Sequence, residues 1–229
     1  MNVLHVDNHL LVVSKPAGLP CVPDSSEDES LLDRSKAWIK REFDKPGAVF
    51  LGVVHRLDRP VSGVVVFART SKAAARLSKA FADQRVAKTY VALGQRPPRE
   101  PKGEVEHWLR KDRERNRVSV VPKGTAQATL ARTEFEAWSY PSQIRGEESE
   151  RARFVLRPHT GRSHQLRVAC ASMGSPLLGD LRYGAAEPLN DKSIALHARR
   201  LELEHPTTRE ALTFEAGLPA RTWWREAFG

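Results

Sequence analysis

The chain has 229 residues, 40% of them hydrophobic and 28% charged, and its 37 basic against 28 acidic side chains leave a net charge of +9. These proportions suit a soluble globular chain of one large domain or two closely packed subdomains, expected to be a cytoplasmic monomer. The longest apolar runs are strand-sized and the start, Met1 to Asp7, has no basic region followed by an apolar one, which argues against a signal peptide and a membrane span. Cys21 and Cys170 lie far apart without CxxC or Cys/His spacing, so neither a disulfide framework nor a zinc site is expected, and both read as packing residues.

In chain order, Val3 to Val6 and Leu10 to Val13 are two apolar segments separated by Asp7-Asn8-His9, the pattern of a hairpin. Lys15-Pro16-Ala17-Gly18-Leu19-Pro20 ends the second strand in an extended turn, with Lys15 facing either an anionic ligand or water. Ser30 can cap a helix through about Phe43, because Leu31, Leu32, Trp38, Ile39 and Phe43 share one helical face. The apolar runs Val49 to Val54 and Val64 to Ala68 are predicted to be buried strands on either side of the polar turn His55-Arg56-Leu57-Asp58-Arg59-Pro60-Val61-Ser62-Gly63.

That turn places one carboxylate, Asp58, between two arginines, which favours its charged form. A charged carboxylate can act as a nucleophile or an electrostatic stabiliser but is a poor general acid. By itself, such a turn is more often a structural ion-pair network than a catalytic site.

Ser71 is predicted to cap a second helix with Ala74, Leu77, Ala80 and Phe81 as its buried stripe, and Ala87 to Leu93 follows as a strand. Its alternation puts Tyr90 on the face opposite Val91 and Leu93, where a tyrosine is ordinarily a core residue with its hydroxyl at the edge. Residues 95 to 103 form a Pro-rich break, after which Arg110 to Arg117 reads as a basic hairpin tip. Ala126 to Trp138 reads as a long strand, Ser142 to Glu150 as an acidic surface loop, and Ala152 to Leu156 as the returning strand of a meander; no internal repeat is visible.

From Arg151 through Gly179 there are five arginines and two histidines but no carboxylate. A solvated basic face would account for this, but concentrated positive charge is also what a polyanion such as RNA or DNA rewards through counterion release. Within the segment, Arg157-Pro158-His159-Thr160-Gly161-Arg162-Ser163-His164-Gln165-Leu166-Arg167 reads as a loop entering a helix that Gly174 closes. If Ser163 is its cap, Leu166, Ala169, Cys170 and Met173 form the buried stripe while His164 and Arg167 share another face. An arginine-rich helix start is an anion site on one reading and a solvated flank on the other. A turn at Gly179 to Gly184, strands near Ile194 to Leu203 and Ala211 to Phe214, and a short helix carrying Trp223, Trp224 and Phe228 complete the chain.

Taken together, four segments in this order resemble the RluA-type pseudouridine synthases: Val13-Ser14-Lys15-Pro16-Ala17-Gly18, His55-Arg56-Leu57-Asp58 with Ser62-Gly63, Lys88-Thr89-Tyr90, and Thr160 to Arg167. Gly174-x-Pro176, Gly179-Asp180-x-x-Tyr183-Gly184, Leu196-His197-Ala198 and His205-Pro206 extend the likeness over nearly the whole chain. The resemblance implies an α+β fold with a mixed, largely antiparallel sheet and flanking helices. Residues 1 to 229 would form one catalytic domain, in two subdomains around a central cleft, without the N-terminal S4 module that many members carry. It also implies an RNA pseudouridine synthase, an isomerase acting on uridines of structured ribosomal or transfer RNA with no metal or organic cofactor. Asp58 would be the catalytic carboxylate, Tyr90 the base for the C5 proton, and Arg167 the partner of Asp58. Arg56 would hold the RNA and fill the gap left by the turned-out uridine, and Leu166 would pack beside the base, with His55, Arg162 and His164 completing the RNA-binding set. Val61 stands where the family usually has threonine, and Ala169 where a histidine commonly follows Leu-Arg.

Two readings from other classes compete. A non-catalytic RNA-binding or ribosome-assembly protein would keep the fold without turnover, but would not need Asp58, Tyr90 and Arg167 together. A metal-dependent nuclease should cluster several carboxylates, and none accompanies Asp58 nearby in sequence.

Overall fold

A computed structural model describes residues 1–144 and 147–229. The chain divides into two units: Met1–Ala87 with Ala198–Gly217, and Lys88–His197 with Leu218–Gly229.

In the first unit, β1 (Asn2–Val6) pairs antiparallel with β2 (Leu10–Lys15), and β2 with β4 (Ser62–Ala68), Val12 opposite Val66. Beyond β4 lies β10 (Leu196–Glu204), whose first two residues belong to the second unit, and then β11 (Ala211–Glu215). Every residue of β4 is buried, which is why it reads as an unbroken apolar run instead of an alternating one. Leu10, Val12, Val64 and Val66 pack with Leu201, Leu203, Phe214 and helix α2 (Ser71–Ala82). Burial of a side chain such as Leu77, at 1% exposure, contributes about 2 kcal/mol.

The first helix, α1 (Leu31–Glu42), starts where expected. The Ser30 hydroxyl accepts the Asp33 N–H and the Asp33 carboxylate accepts the Ser30 N–H, a reciprocal cap. Its fully buried residues are Leu31, Ser35 and Ile39, while Phe43 is 44% exposed, so the predicted stripe ends a turn early. α2 is capped by Thr70, not Ser71, the threonine hydroxyl accepting the Ala73 N–H. The predicted strand Val49 to Val54 contracts to β3 (Gly52–Val53), with Phe50 53% and Val53 36% exposed. Gly52 explains the contraction: a Cβ there would stand 2.7 Å from the Ala74 Cβ, so the segment is a close backbone approach to α2 and not a strand with its own packed face.

In the second unit, β5 (Ala87–Gly94, whose first residue belongs to the first unit), β9 (Glu147–Pro158), β8 (Thr129–Ile144), β6 (Lys102–Asp112) and β7 (Arg117–Val121) lie side by side in that order, each pair antiparallel. β8 and β9 are longer than predicted and take in most of the expected loop Ser142 to Glu150; Arg145 and Gly146 lie outside the described residues. One core joins Val91, Leu93, Leu178 and Leu189 to Trp224 of α4 (Thr222–Phe228), and another joins Leu109, Val118 and Ala131 to Val168 and Tyr183. Among the described residues no helix is long and apolar enough to cross a membrane.

Candidate active site

In the first unit the Asp58 turn rests on the turn that follows β2. Lys15 is fully buried, and its ammonium donates to the carbonyls of Pro16 (3.1 Å), Leu19 (2.7 Å) and Arg59 (3.0 Å). It faces neither an anionic ligand nor water, the two alternatives its sequence left open. Pro16 and Pro20 bring carbonyls into the turn without matching N–H groups, and a buried cation satisfies such acceptors. Burial, the largest influence, lowers the Lys15 pKa to about 8 against the pull of Cys21 and Asp58, with Arg59 pushing the same way as burial.

The residues flanking Asp58 are held on both sides. The Leu57 N–H donates to Cys21 Sγ at 3.3 Å, so this cysteine is more than packing. The Arg59 carbonyl also accepts the Gly18 N–H at 2.8 Å. The Arg59 guanidinium is taken up by the Gly18 carbonyl (3.0 Å), the Ser26 hydroxyl (2.9 Å) and the Asp28 carboxylate. The Asp58 carbonyl accepts the Val61 N–H at 3.0 Å and closes the turn. Asp58 itself is half-buried, Leu57 is buried and Arg56 is exposed. His55 stacks on Phe81 with centroids 4.7 Å apart, and its Nε2 accepts the Val66 N–H, which fixes the turn to β4 and α2. Val61 is 2% exposed, so the position that usually carries threonine is core here.

Gly63 sits at φ 122°, and a Cβ on it would fall 2.3 Å from the Ala198 carbonyl oxygen. Only glycine lets β4 and β10 approach this closely.

In the second unit, Tyr90 is half-buried on β5 in register with Leu156. Lys88, two residues away on the same face, donates to the Thr160 carbonyl at 3.4 Å, and burial lowers its pKa. The helix α3 (Gln165–Ser172) begins differently from the expectation. Its cap is His164, at φ 52° and without a side-chain cap bond, not Ser163. Gln165 organises the turn instead: its Oε1 accepts from the Thr160 hydroxyl and the Arg162 N–H, and its Nε2 donates to the Arg132 carbonyl and the Thr133 hydroxyl. Gln165 through Cys170 are all buried, so the first six residues of α3 are covered all round and present no separate polar face, while Ser172 at its end is exposed. Leu166 lies within it at 7% exposure, Ala169 at 1%, and Met173 is the partly exposed C-cap. Arg162 is exposed and donates to the Leu130 carbonyl at 3.0 Å.

Arg167 is 6% exposed, and its Nε and Nη2 donate to the two oxygens of Asp180, each at 2.7 Å. This bidentate pair, with Asp180 at 1% exposure, was not assigned from sequence, although Asp180 stood in a recognised motif. The signal is the acid inside Gly179-Asp180-x-x-Tyr183-Gly184, a tight turn in which a buried carboxylate requires a cation. His164 Nδ1 lies 2.7 Å from the Tyr183 hydroxyl, so the histidine expected at the RNA is a buried member of the same cluster. The two sets of residues thus lie in different units: Arg56, Leu57 and Asp58 in the first, Tyr90, Leu166 and Arg167 in the second.

A family model described as RNA pseudouridylate synthase matches residues 9–172. The chain is 35% identical over 215 residues to the dual-specificity RNA pseudouridine synthase RluA of Escherichia coli K12, covering 93% of this chain and 91% of the relative. It is 34% identical over 225 residues to the RNA pseudouridine synthase YhcT of Bacillus subtilis, covering 96% and 69%. The solved structure of human RNA pseudouridylate synthase domain containing 4 matches with a TM-score of 0.76 at 26% identity, covering 96% of this chain and 89% of that one. The family match runs through both the Asp58 turn and the helix bearing Arg167, and the chain therefore belongs to the RNA pseudouridylate synthases, isomerases that convert uridine in RNA to pseudouridine, and among them to the RluA type.

Proposed function

We propose that this enzyme isomerises particular uridines in structured ribosomal or transfer RNA, as a cytoplasmic monomer without cofactor, and that Asp58 carries the chemistry. The observation behind this choice is a contrast between two motif acids. Asp180 is sealed at 1% exposure against Arg167, whereas Asp58 is half-buried on a turn whose neighbours Leu57 and Arg59 are both anchored. A rigid backbone under a reachable carboxylate is what a reacting group needs.

Breaking the N1–C1′ bond builds positive charge on the ribose, which the Asp58 carboxylate stabilises or captures. The uracil turns, C5 bonds to C1′, and the C5 proton passes to the Tyr90 oxygen as that hydroxyl gives up its own proton to solvent, which protonates N1, so atoms and electrons balance without a redox partner. Asp180 takes the Nε–Nη2 edge of Arg167 and fixes the orientation of the guanidinium. Exposed Arg56 fills the stack that the flipped nucleotide leaves, and Leu166 packs against the base. Exposed Arg162 contacts the RNA, while His55 and His164 support these surfaces from behind.

The test is Asp58→Asn, assayed for pseudouridine on transcribed transfer and ribosomal RNA. It should fold, bind RNA and yield no product; measurable conversion by the purified variant would overturn the assignment.

A further inference from the structure

The Gly179-Asp180-x-x-Tyr183-Gly184 turn grips Arg167 twice. Asp180 takes its Nε–Nη2 edge, and three residues on, Tyr183 presents its ring face, with the Arg167 Cζ 5.0 Å from the ring centroid. Tyr183 ends the 3-10 turn Leu181–Tyr183 and is 9% exposed.

The far end of the ring reaches a different element. The Tyr183 hydroxyl accepts the Val118 N–H at 2.9 Å, satisfying a backbone donor of β7, the last strand in its row. The same hydroxyl lies 2.7 Å from His164 Nδ1 and donates or accepts there according to the imidazole tautomer. Burial holds the Tyr183 pKa above its ordinary value, so the proton is present at neutral pH. Val118 follows Arg117, where β6 and β7 meet at the basic tip, and the Arg117 Cζ lies 6.0 Å from the same ring.

We propose that Tyr183 is a positioning residue that couples the β6–β7 hairpin to Arg167, so that the seat of the basic tip on RNA sets the posture of the guanidinium. This rests on the reading of Arg167 as a working residue. One side chain joins them: its hydroxyl fixes the strand below the tip and the N-cap of α3, while its ring packs against the arginine carried by α3. A tyrosine needed only for packing would use its ring and not require both hydroxyl bonds.

The experiment compares Tyr183→Phe, Arg167→Lys and their double variant on a transfer or ribosomal RNA transcript that the wild-type enzyme converts. Folding is checked by circular dichroism, RNA affinity by filter binding, and chemistry by single turnover at saturating enzyme. Tyr183→Phe keeps the ring, so it should melt close to wild type and bind RNA within about threefold, yet convert at least tenfold more slowly. The double variant should be no more than about twofold slower than Arg167→Lys alone, because the hydroxyl acts through the arginine. A wild-type single-turnover rate in Tyr183→Phe, with Arg167→Lys slow, overturns the coupling and leaves the role of Arg167 standing. A wild-type rate in Arg167→Lys removes the reading on which the coupling rests. Slow conversion by Tyr183→Phe with fully additive losses in the double variant also overturns it, since the hydroxyl would then act independently of Arg167.

Discussion

Lys15→Met is the sharpest probe of how the Asp58 turn is built. Methionine keeps much of the length and apolar stem but deletes the ammonium and its bonds to the Pro16, Leu19 and Arg59 carbonyls. Charge-assisted bonds contribute about 2 kcal/mol each, so three supply roughly 6 kcal/mol. Against this stands the burial of the charge: moving the pKa from 10.5 to about 8 corresponds to about 3 kcal/mol of disfavoured protonation. The Arg59 carbonyl keeps the Gly18 N–H in the variant, which softens the loss. At pH 7 the variant should therefore be less stable by about 2 to 3 kcal/mol.

The pH dependence adds a second readout. The folded pKa of Lys15 lies below its unfolded value, so between about pH 8 and 10.5 the unfolded chain binds more protons, and the wild-type protein gains stability as pH rises. Below pH 8 both states are protonated and the penalty is constant. The variant lacks this gain, so the difference between the two should widen by about 1.4 kcal/mol from pH 7 to pH 9. Urea unfolding of both proteins at pH 7, 8 and 9 measures it. A difference that stays flat, or a variant as stable as wild type at pH 7, would refute a buried, carbonyl-bound ammonium.

Gly63→Ala must place a Cβ 2.3 Å from the Ala198 carbonyl at φ 122°, so a loss of about 3 kcal/mol or more is expected in chemical unfolding; a loss under 1 kcal/mol would mean that the strands can separate at little cost. Arg113→Ala with Arg115→Ala, at the exposed hairpin tip, should lower the slope of log affinity against log salt by about 1 to 2. An unaltered slope would put the RNA elsewhere. Burial pushes both thiols, Cys21 and Cys170, above the ordinary range, so neither should react with a disulfide reagent in the native protein and both should react in denaturant. Rapid native labelling of Cys21 would show that the Asp58 turn opens.

What could be read in advance follows from the range of the interaction involved. β2, β4 and β5 were legible because apolar runs of strand length announce themselves locally, and α1 because Ser30 and Asp33 cap each other within one turn. The misreadings share the opposite cause. Val49 to Val54 has the composition of a strand, but Gly52 is spent on contact with Ala74, more than twenty residues away. Ser163 satisfies the local capping rule, but Gln165 gathers four partners from Thr160, Arg162, Arg132 and Thr133 and shifts the helix start by itself. Lys15 looks like any surface lysine until the turn folds its carbonyls inward.

The same distinction governs the acids. Asp58 and Asp180 each stand in a recognisable motif, and both motifs invite an arginine. Residue type and spacing do not distinguish a reacting carboxylate from a structural one, because the two are chemically identical. Burial separates them. Asp180, sealed at 1% exposure with both oxygens on Arg167, has its charge neutralised where no substrate can reach it. Asp58 has its stiffness supplied through backbone neighbours, by Cys21 on one side and by Lys15 and Gly18 on the other. Anchoring the chain on both sides of Asp58 limits the positions that its carboxylate can take, which is what the proposed reaction at the ribose requires.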